Sequence, residues 1–430
     1  MAPEDTLERS RIEAAARQGG PGLARGLVAL FAASAGFSVA NVYYGQPLLD
    51  ALARDFRIDL AVVGSVVAMT QAGSALALLF VVPLGDLIDR RRLMRAQLVT
   101  LIIVLVVVGL ARTLPVLFAG MLAVGLLGTA MTQGLLAYAA SAASANEQGR
   151  VVGAAQSGVF VGLLSARVFA GAVSDLAGWR WVYLAAAMLM FVAGVLLWNR
   201  LPLLAPPRVR VSYPRLILSM FALLRHERTL QVRGMLALLM FAALNIFWSA
   251  LVLPLGAPPF SLPHTAIGAF GLVGVIGALA AARAGKWVDG GHGQRTTMVA
   301  LVMLVLAWWP LAQLHVSLWI LAVGIVLLDA AGQALHVTSQ SMIVRTRPEA
   351  PGRLIGLYML FYAVGSGLGA IGTTAAYGAG GWYAVCALGA AVSMAALVFW
   401  AATRRAPACA ERNGSCTMAR KKSACWGGAR

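Results

Sequence analysis

Long apolar stretches recur along this chain, and short charged clusters separate them. Ala96 to Leu110 holds no charged residue, nor does Pro115 to Asn146. A run of about 20 apolar residues spans the hydrocarbon core of a bilayer as a helix. In lipid every backbone amide must be bonded within its own segment, so such runs form helices and not open strands. They are apolar on all sides and lack the period-two alternation of an outer-membrane barrel. The pattern predicts spans at 26–48, 61–84, 96–111, 115–140, 151–173, 181–198, 234–255, 265–282, 297–314, 317–341, 354–376 and 382–402.

Composition agrees. Of 430 residues 60% are hydrophobic and 12% charged, where a soluble domain has about a quarter charged. The net charge of +18 would point to nucleic acid in a soluble protein, but its distribution points to a membrane instead. Of 34 Lys and Arg, 29 fall on the side of the N-terminus. Four (Arg54, Arg57, Arg112, Arg180) fall on the other, and Arg167 lies within a span. By the positive-inside rule both termini are cytoplasmic, as expected of a multi-pass inner-membrane protein with no nucleic-acid partner. The mixed charge of the first residues, with Glu4, Asp5, Glu8 and Glu13, does not suit a cleavable signal. Cys386 reads as packing. Cys409, Cys416 and Cys425 have no zinc-site spacing and lie on the reducing side.

Six spans lie on each side of a longer linker, which carries Pro202, Pro206, Pro207 and Pro214. The organisation expected is a cytoplasmic tail over 1–25, a six-helix half over 26–198, a linker over 199–233, a second half over 234–402 and a tail over 403–430. Tyr213 to Leu224 can form an amphipathic helix within the linker. The halves repeat: Arg150, Gly153, Gly178 and Trp179 recur 203 positions later as Arg353, Gly356, Gly381 and Trp382, and Gly85 and Asp89 recur 200 positions later as Gly285 and Asp289. Two such halves related about the membrane normal place a binding site between them near the midplane.

The stretch from Pro83 to Arg92, with Gly85, Asp89 and Arg90 between spans 2 and 3, resembles the loop signature of the major facilitator superfamily, G-x-x-x-D-R-x-G-R-R. A degenerate copy with Gly285 and Asp289 sits between spans 8 and 9. Asn41 to Leu49, Ser165 to Gly171, Pro258 to Phe260 and Asp329 to Gln340 are similar to the bacterial proton-coupled drug and nucleoside efflux branch. The sequence departs from the drug antiporters in two places: span 4 has Gln133 where they usually have Arg, and span 5 has Arg167 and no Gly-Pro pair. The resemblance implies an all-α membrane fold of twelve transmembrane helices in two six-helix halves. It also implies a gating role for Asp89 and Arg90.

Ionisable groups at bilayer depth mark sites of function by default. Arg167 lies roughly 10 Å from the outer end of its span and Asp329 roughly 18 Å, at 1.5 Å per residue. Asp329 and, two turns along, His336 are the proton-coupling candidates. Gln333 and Gln340 share their helix face. Asn41, Tyr44, Gln46, Gln133, Arg167, Asn245 and Trp248 are the further cavity candidates. Glycines in spans 5 and 11 suit close helix packing. There is no phosphate-binding loop, metal cluster or catalytic constellation, so neither an enzyme, a metal nor a cofactor is expected. The reading is a monomeric, proton-coupled exporter of a small organic molecule, in contact with membrane lipid. The alternatives are a proton-independent facilitator or uptake carrier, and a non-transporting receptor or scaffold of the same fold.

Overall fold

The computed structural model describes residues 23–144, 147–201, 212–274, 287, 290–346 and 351–405. Among them ten helices are long and apolar enough to cross a membrane. The last, Pro351–Arg405, is two spans: its backbone leaves the helix at Gly380 and Gly381. His264–Gly274 is a shorter apolar helix that begins where the eighth span is expected from the sequence. Gly285 and Asp289, the second copy of the loop motif, fall outside the described residues, as do the three tail cysteines.

The repeat is visible in the backbone. Gly178, at the turn between spans 5 and 6, has φ +89°. Gly381, its counterpart between spans 11 and 12, has φ +61°. Only glycine enters this region without steric cost, so the sequence keeps glycine at both corners. The tryptophan that follows each turn is buried. The Trp179 indole donates to Asp55 and that of Trp382 to the Leu311 carbonyl, pinning each corner to its own half.

Span 1 is continuous only from Arg25 to Tyr43. After Tyr44 and Gly45 the chain makes a short 3-10 turn, Gln46–Leu48, and resumes as Leu49–Phe56. Pro47 forces this break, having no amide hydrogen to give. Span 2 also changes pitch. It runs α-helically over Leu60–Leu76, widens to a π turn over Ala77–Val81 and tightens to a 3-10 turn over Val82–Asp86. The linker helix predicted from Tyr213 forms over Tyr213–His226. It buries Leu216 and Met220, the latter against Tyr358 and Leu354 of span 11, and leaves Leu218 and Phe221 exposed.

Large apolar side chains stand bare on the outside of the bundle, among them Val161, Leu176, Trp309 and Trp319. In water they would form an adhesive surface, whereas in lipid they are solvated by acyl chains. The two halves meet along two seams. Span 2 packs on span 11, where Gly64 abuts the backbone of Ala370. Span 5 packs on span 8, where Gly268 lies against the Arg167 carbonyl and Gly171 against that of His264. At the second seam a β-carbon on either glycine would collide with main chain.

The end of the bundle carrying Arg54, Arg57, Arg112 and Arg180 is called the arginine-poor end, and the opposite one the arginine-rich end. At the arginine-rich end Arg90 donates to the carbonyls of Gly85 and Ala137 and to the Ser141 hydroxyl. Asp89 accepts from the Arg91 amide at the start of span 3, and Arg92 stands 3.7 Å away. These contacts all lie within the first half. In this conformation they tie the loop to span 4 and do not join the two halves.

Candidate functional site

One cavity of about 70 Å³ lies between the halves. Arg167 reaches it from span 5, and Asp329 from span 10. Both sit in the middle of long helices with no local reason for charge. Arg167 is only 6% exposed. The two groups attract across the cavity with no direct ion pair between them. Trp248 of span 7 links them instead. The guanidinium lies over the indole face, 4.1 Å from its centroid, and the indole Nε1 donates to Asp329 Oδ1 at 3.3 Å. A cation over a desolvated aromatic face gains about 2 kcal/mol. Tyr43 presents a second ring to the same guanidinium at 5.7 Å. The other Asp329 oxygen lies against Gly274, where no larger side chain fits.

A chain of amides completes one wall. Arg167 Nη2 donates to Gln46 Oε1 at 3.0 Å, Gln46 Nε2 to Asn245 Oδ1 at 2.8 Å, and Asn245 Nδ2 to Ser366 at 2.9 Å. This line crosses from spans 1 and 5 to spans 7 and 11, so it reports the relative position of the halves. It is not saturated: Arg167 Nε and Gln333 Oε1 are buried with no partner. Buried polar atoms without partners are rare in folded proteins and ask for an explanation. The remaining wall is aromatic. Phe241 packs edge-on to Tyr362 at 4.3 Å, and the Tyr362 hydroxyl is hydrogen-bonded to that of Tyr43.

Of the sequence candidates, Gln46, Arg167, Asn245, Trp248, Asp329 and Gln333 all line this cavity. The others stand elsewhere. His336 and Gln340 share the Asp329 face but lie further along span 10, beyond the cavity. His336 Nδ1 pairs with the Tyr358 hydroxyl at 2.9 Å and its Nε2 with Gln340 at 3.2 Å, which makes His336 a tie between spans 10 and 11. Tyr44 packs against Phe169, the rings tilted with centroids 5.4 Å apart, and Tyr43 lines the cavity. Asn41 donates back to the Phe37 carbonyl of its own helix. Gln133 is half-buried on span 4, off the cavity wall. Tyr362 and Phe241 were not expected, because aromatic residues in uniformly apolar helices carry no signal of direction.

A second polar cluster joins the halves at the arginine-poor end. His264, just before span 8 as read from the sequence, has Nε2 2.9 Å from Asp50 and Nδ1 2.8 Å from Asp175. The Asp175 carboxylate also accepts the His264 and Thr265 amides and the Thr265 hydroxyl. Two carboxylates on two ring nitrogens call for a hydrogen on each, which is the imidazolium form. The hydrogen bond to Asp50 accordingly holds the His264 ring above its ordinary value.

Over residues 26–290 the sequence matches the Major Facilitator Superfamily. It is 36% identical over 378 residues to a putative uncharacterized transporter, YgaY, of Escherichia coli K12, spanning 88% of this chain and 95% of that one. It is 30% identical over 390 residues to a probable transporter, SCO4007, of Streptomyces coelicolor, spanning 90% and 88%. A mutant of the nucleoside transporter NupG superposes with TM-score 0.69 at 14% identity, over 87% of this chain and 99% of that one. The human organic anion transporter MFSD10 superposes with TM-score 0.62 at 17% identity, over 87% and 97%. At such identities the structural likeness concerns the fold alone.

Proposed function

The chain belongs to the Major Facilitator Superfamily and is a transmembrane transporter, and from that premise we propose that it moves a small organic solute by alternating access with a proton carried on Asp329. The observation that carries this reading is a part-buried carboxylate and a buried guanidinium, one from each half, facing a single cavity without touching. A structural ion pair would close to direct contact, since burying charges is repaid only by good mutual geometry. Here each charge is held by a tryptophan and left open toward the space between them. Arg cannot release its proton in a protein, whereas a carboxylate can take one up, so Asp329 is the group able to couple.

The cavity is small. A dry apolar cavity of about 150 Å³ is needed to hold benzene, and drug-sized ligands occupy about 300–1,000 Å³. This conformation is therefore a closed stage of the cycle, and the halves must part to load a larger solute. Parting breaks the amide line from Gln46 to Ser366. The excess of Lys and Arg at the arginine-rich end supports an orientation with that end and both termini in the cytoplasm. Whether an inward proton gradient drives import or export depends on whether proton and solute occupy the cavity together or exclude each other.

The test uses the full chain in lightly buffered proteoliposomes with a pH dye inside, challenged with a panel of small organic solutes. The expected result is a solute-dependent pH change that Asp329→Asn abolishes while solute exchange continues. Solute flux with no proton movement in the unaltered protein would establish a proton-independent facilitator instead.

A further inference from the structure

The polar atoms left over around the cavity define what it lacks. Arg167 carries five N–H donors in a planar fork. Gln46 takes a hydrogen bond from Nη2, and Nε is buried without a partner. The guanidinium lies over the Trp248 ring, and its stem packs beside Gly271. A fork of donors in a dry site is matched by a planar pair of acceptors, and a carboxylate meets it with two parallel hydrogen bonds. Asp329 could have supplied that match but is turned to the Trp248 indole.

We infer that the solute is a small organic monoanion, held by its carboxylate on Arg167, and that it crosses together with a proton taken up by Asp329. This rests on the cavity being the transport site. The charge count gives the coupling. Among the described residues that line it, the cavity has one cation and one carboxylate, and the other ionisable groups there are the phenols of Tyr43 and Tyr362, which are bonded to each other. A solute carboxylate on Arg167 would leave two negative groups sharing one cation away from bulk water. Like charges in such a site are relieved when one carboxylate takes a proton. Hydronium on the open side gives up the proton: its O–H bond breaks as an O–H bond forms on Asp329, and water is left behind. Gln333, one turn along the same helix, has a carbonyl oxygen with no donor, and a protonated Asp329 on that face supplies one. The aromatic walls of Phe160, Phe241 and Tyr362 receive the apolar body of the solute. Proton and anion are thus bound cooperatively and move in the same direction. Under an inward proton gradient this drives uptake, opposite to the export that the sequence resemblance implies.

The test is calorimetry and thermal melting on the purified full chain with four probes: acetate, benzoate, benzylammonium and benzamide. The carboxylates are expected to bind and raise the melting temperature, and the cation and amide to do neither. Titration in two buffers of different ionisation enthalpy should show uptake of about one proton per anion. Arg167→Lys, which keeps the charge but loses the fork, should weaken the anions by at least about tenfold. Asp329→Asn should retain anion binding and lose the proton uptake. Binding of neither carboxylate, preference for benzylammonium or benzamide, or anion binding without proton uptake would each overturn the inference. The two readings fail separately. Anion binding with proton uptake but no flux in proteoliposomes removes the transport role and leaves the site. Proton-coupled flux of a cationic or neutral solute removes the monoanion and leaves the transporter.

Discussion

Two polar clusters bridge the halves of this transporter, and they are built on opposite lines. At the arginine-poor end His264 is fully engaged: both ring nitrogens face carboxylates, and its amide and those of Thr265 are also taken. In the middle Arg167 keeps a buried donor without a partner, and Gln333, beside Asp329 on span 10, a buried acceptor without one. A saturated cluster has nothing left to offer a ligand and functions as a clasp. An unsaturated one is poised to take a ligand. The same residue chemistry, acid against base across one interface, thus yields closure in one place and recognition in the other.

The largest effect that would break this contrast is at the central pair. Asp329→Asn or Arg167→Gln should reduce coupled solute flux to below about a hundredth, because each leaves an uncompensated charge or an empty binding fork. His264→Ala should leave flux within several-fold of normal. Equal losses at both clusters would show that they are one functional unit. Next in size is the seam beside Arg167. Gly268→Val places side-chain atoms on main chain and should hold the arginine-poor end open. Spin labels replacing the exposed Arg57 and Ser261 should then report a longer distance between the halves, and an unchanged distribution would refute the role of this contact in closure.

A third expectation concerns pH. The closed clasp holds the His264 ring above its ordinary value, chiefly through Asp50. Its contribution is therefore complete below the ordinary histidine value of about 6.5. It is lost as pH rises through the raised value of the closed state. Reaction of a cysteine placed near Ser261 with a water-soluble reagent should quicken as pH is raised through this window, and His264→Gln should flatten the profile. The smallest effect is local. Gly178 has open space where a β-carbon would stand, so Gly178→Ala tests the backbone alone. It should cost about 1–3 kcal/mol, seen as a lower melting temperature with unaltered solute preference.

The number of crossings, the internal repeat and the buried charges were legible because each leaves a one-dimensional trace: an uncharged run, a constant offset, or a charge where none belongs. Direction within the membrane was not legible. Spans apolar on every side have no preferred face to read, so Phe241 and Tyr362 could not be told from lipid-facing aromatics. Which of Tyr43 and Tyr44 faces the cavity was not legible for a related reason: the helix ends at Tyr43, and helical phase cannot be carried through the break before Pro47. His336 was grouped with Asp329 by face alone. Two turns also separate them by about 10 Å along the axis, and His336 does not line the cavity. The His264 clasp draws Asp50, Asp175 and His264 from distant parts of the chain, and no local pattern joins them.

The hydroxyl contact between Tyr43 and Tyr362 spans the two halves at the cavity wall. When the halves separate, each phenol loses that partner beside the rings of Phe160 and Phe241, and solvent has to enter to replace it. Opening is therefore also a wetting event and resealing a drying one. The cycle should slow as water activity falls, even with osmolytes too bulky to reach the cavity.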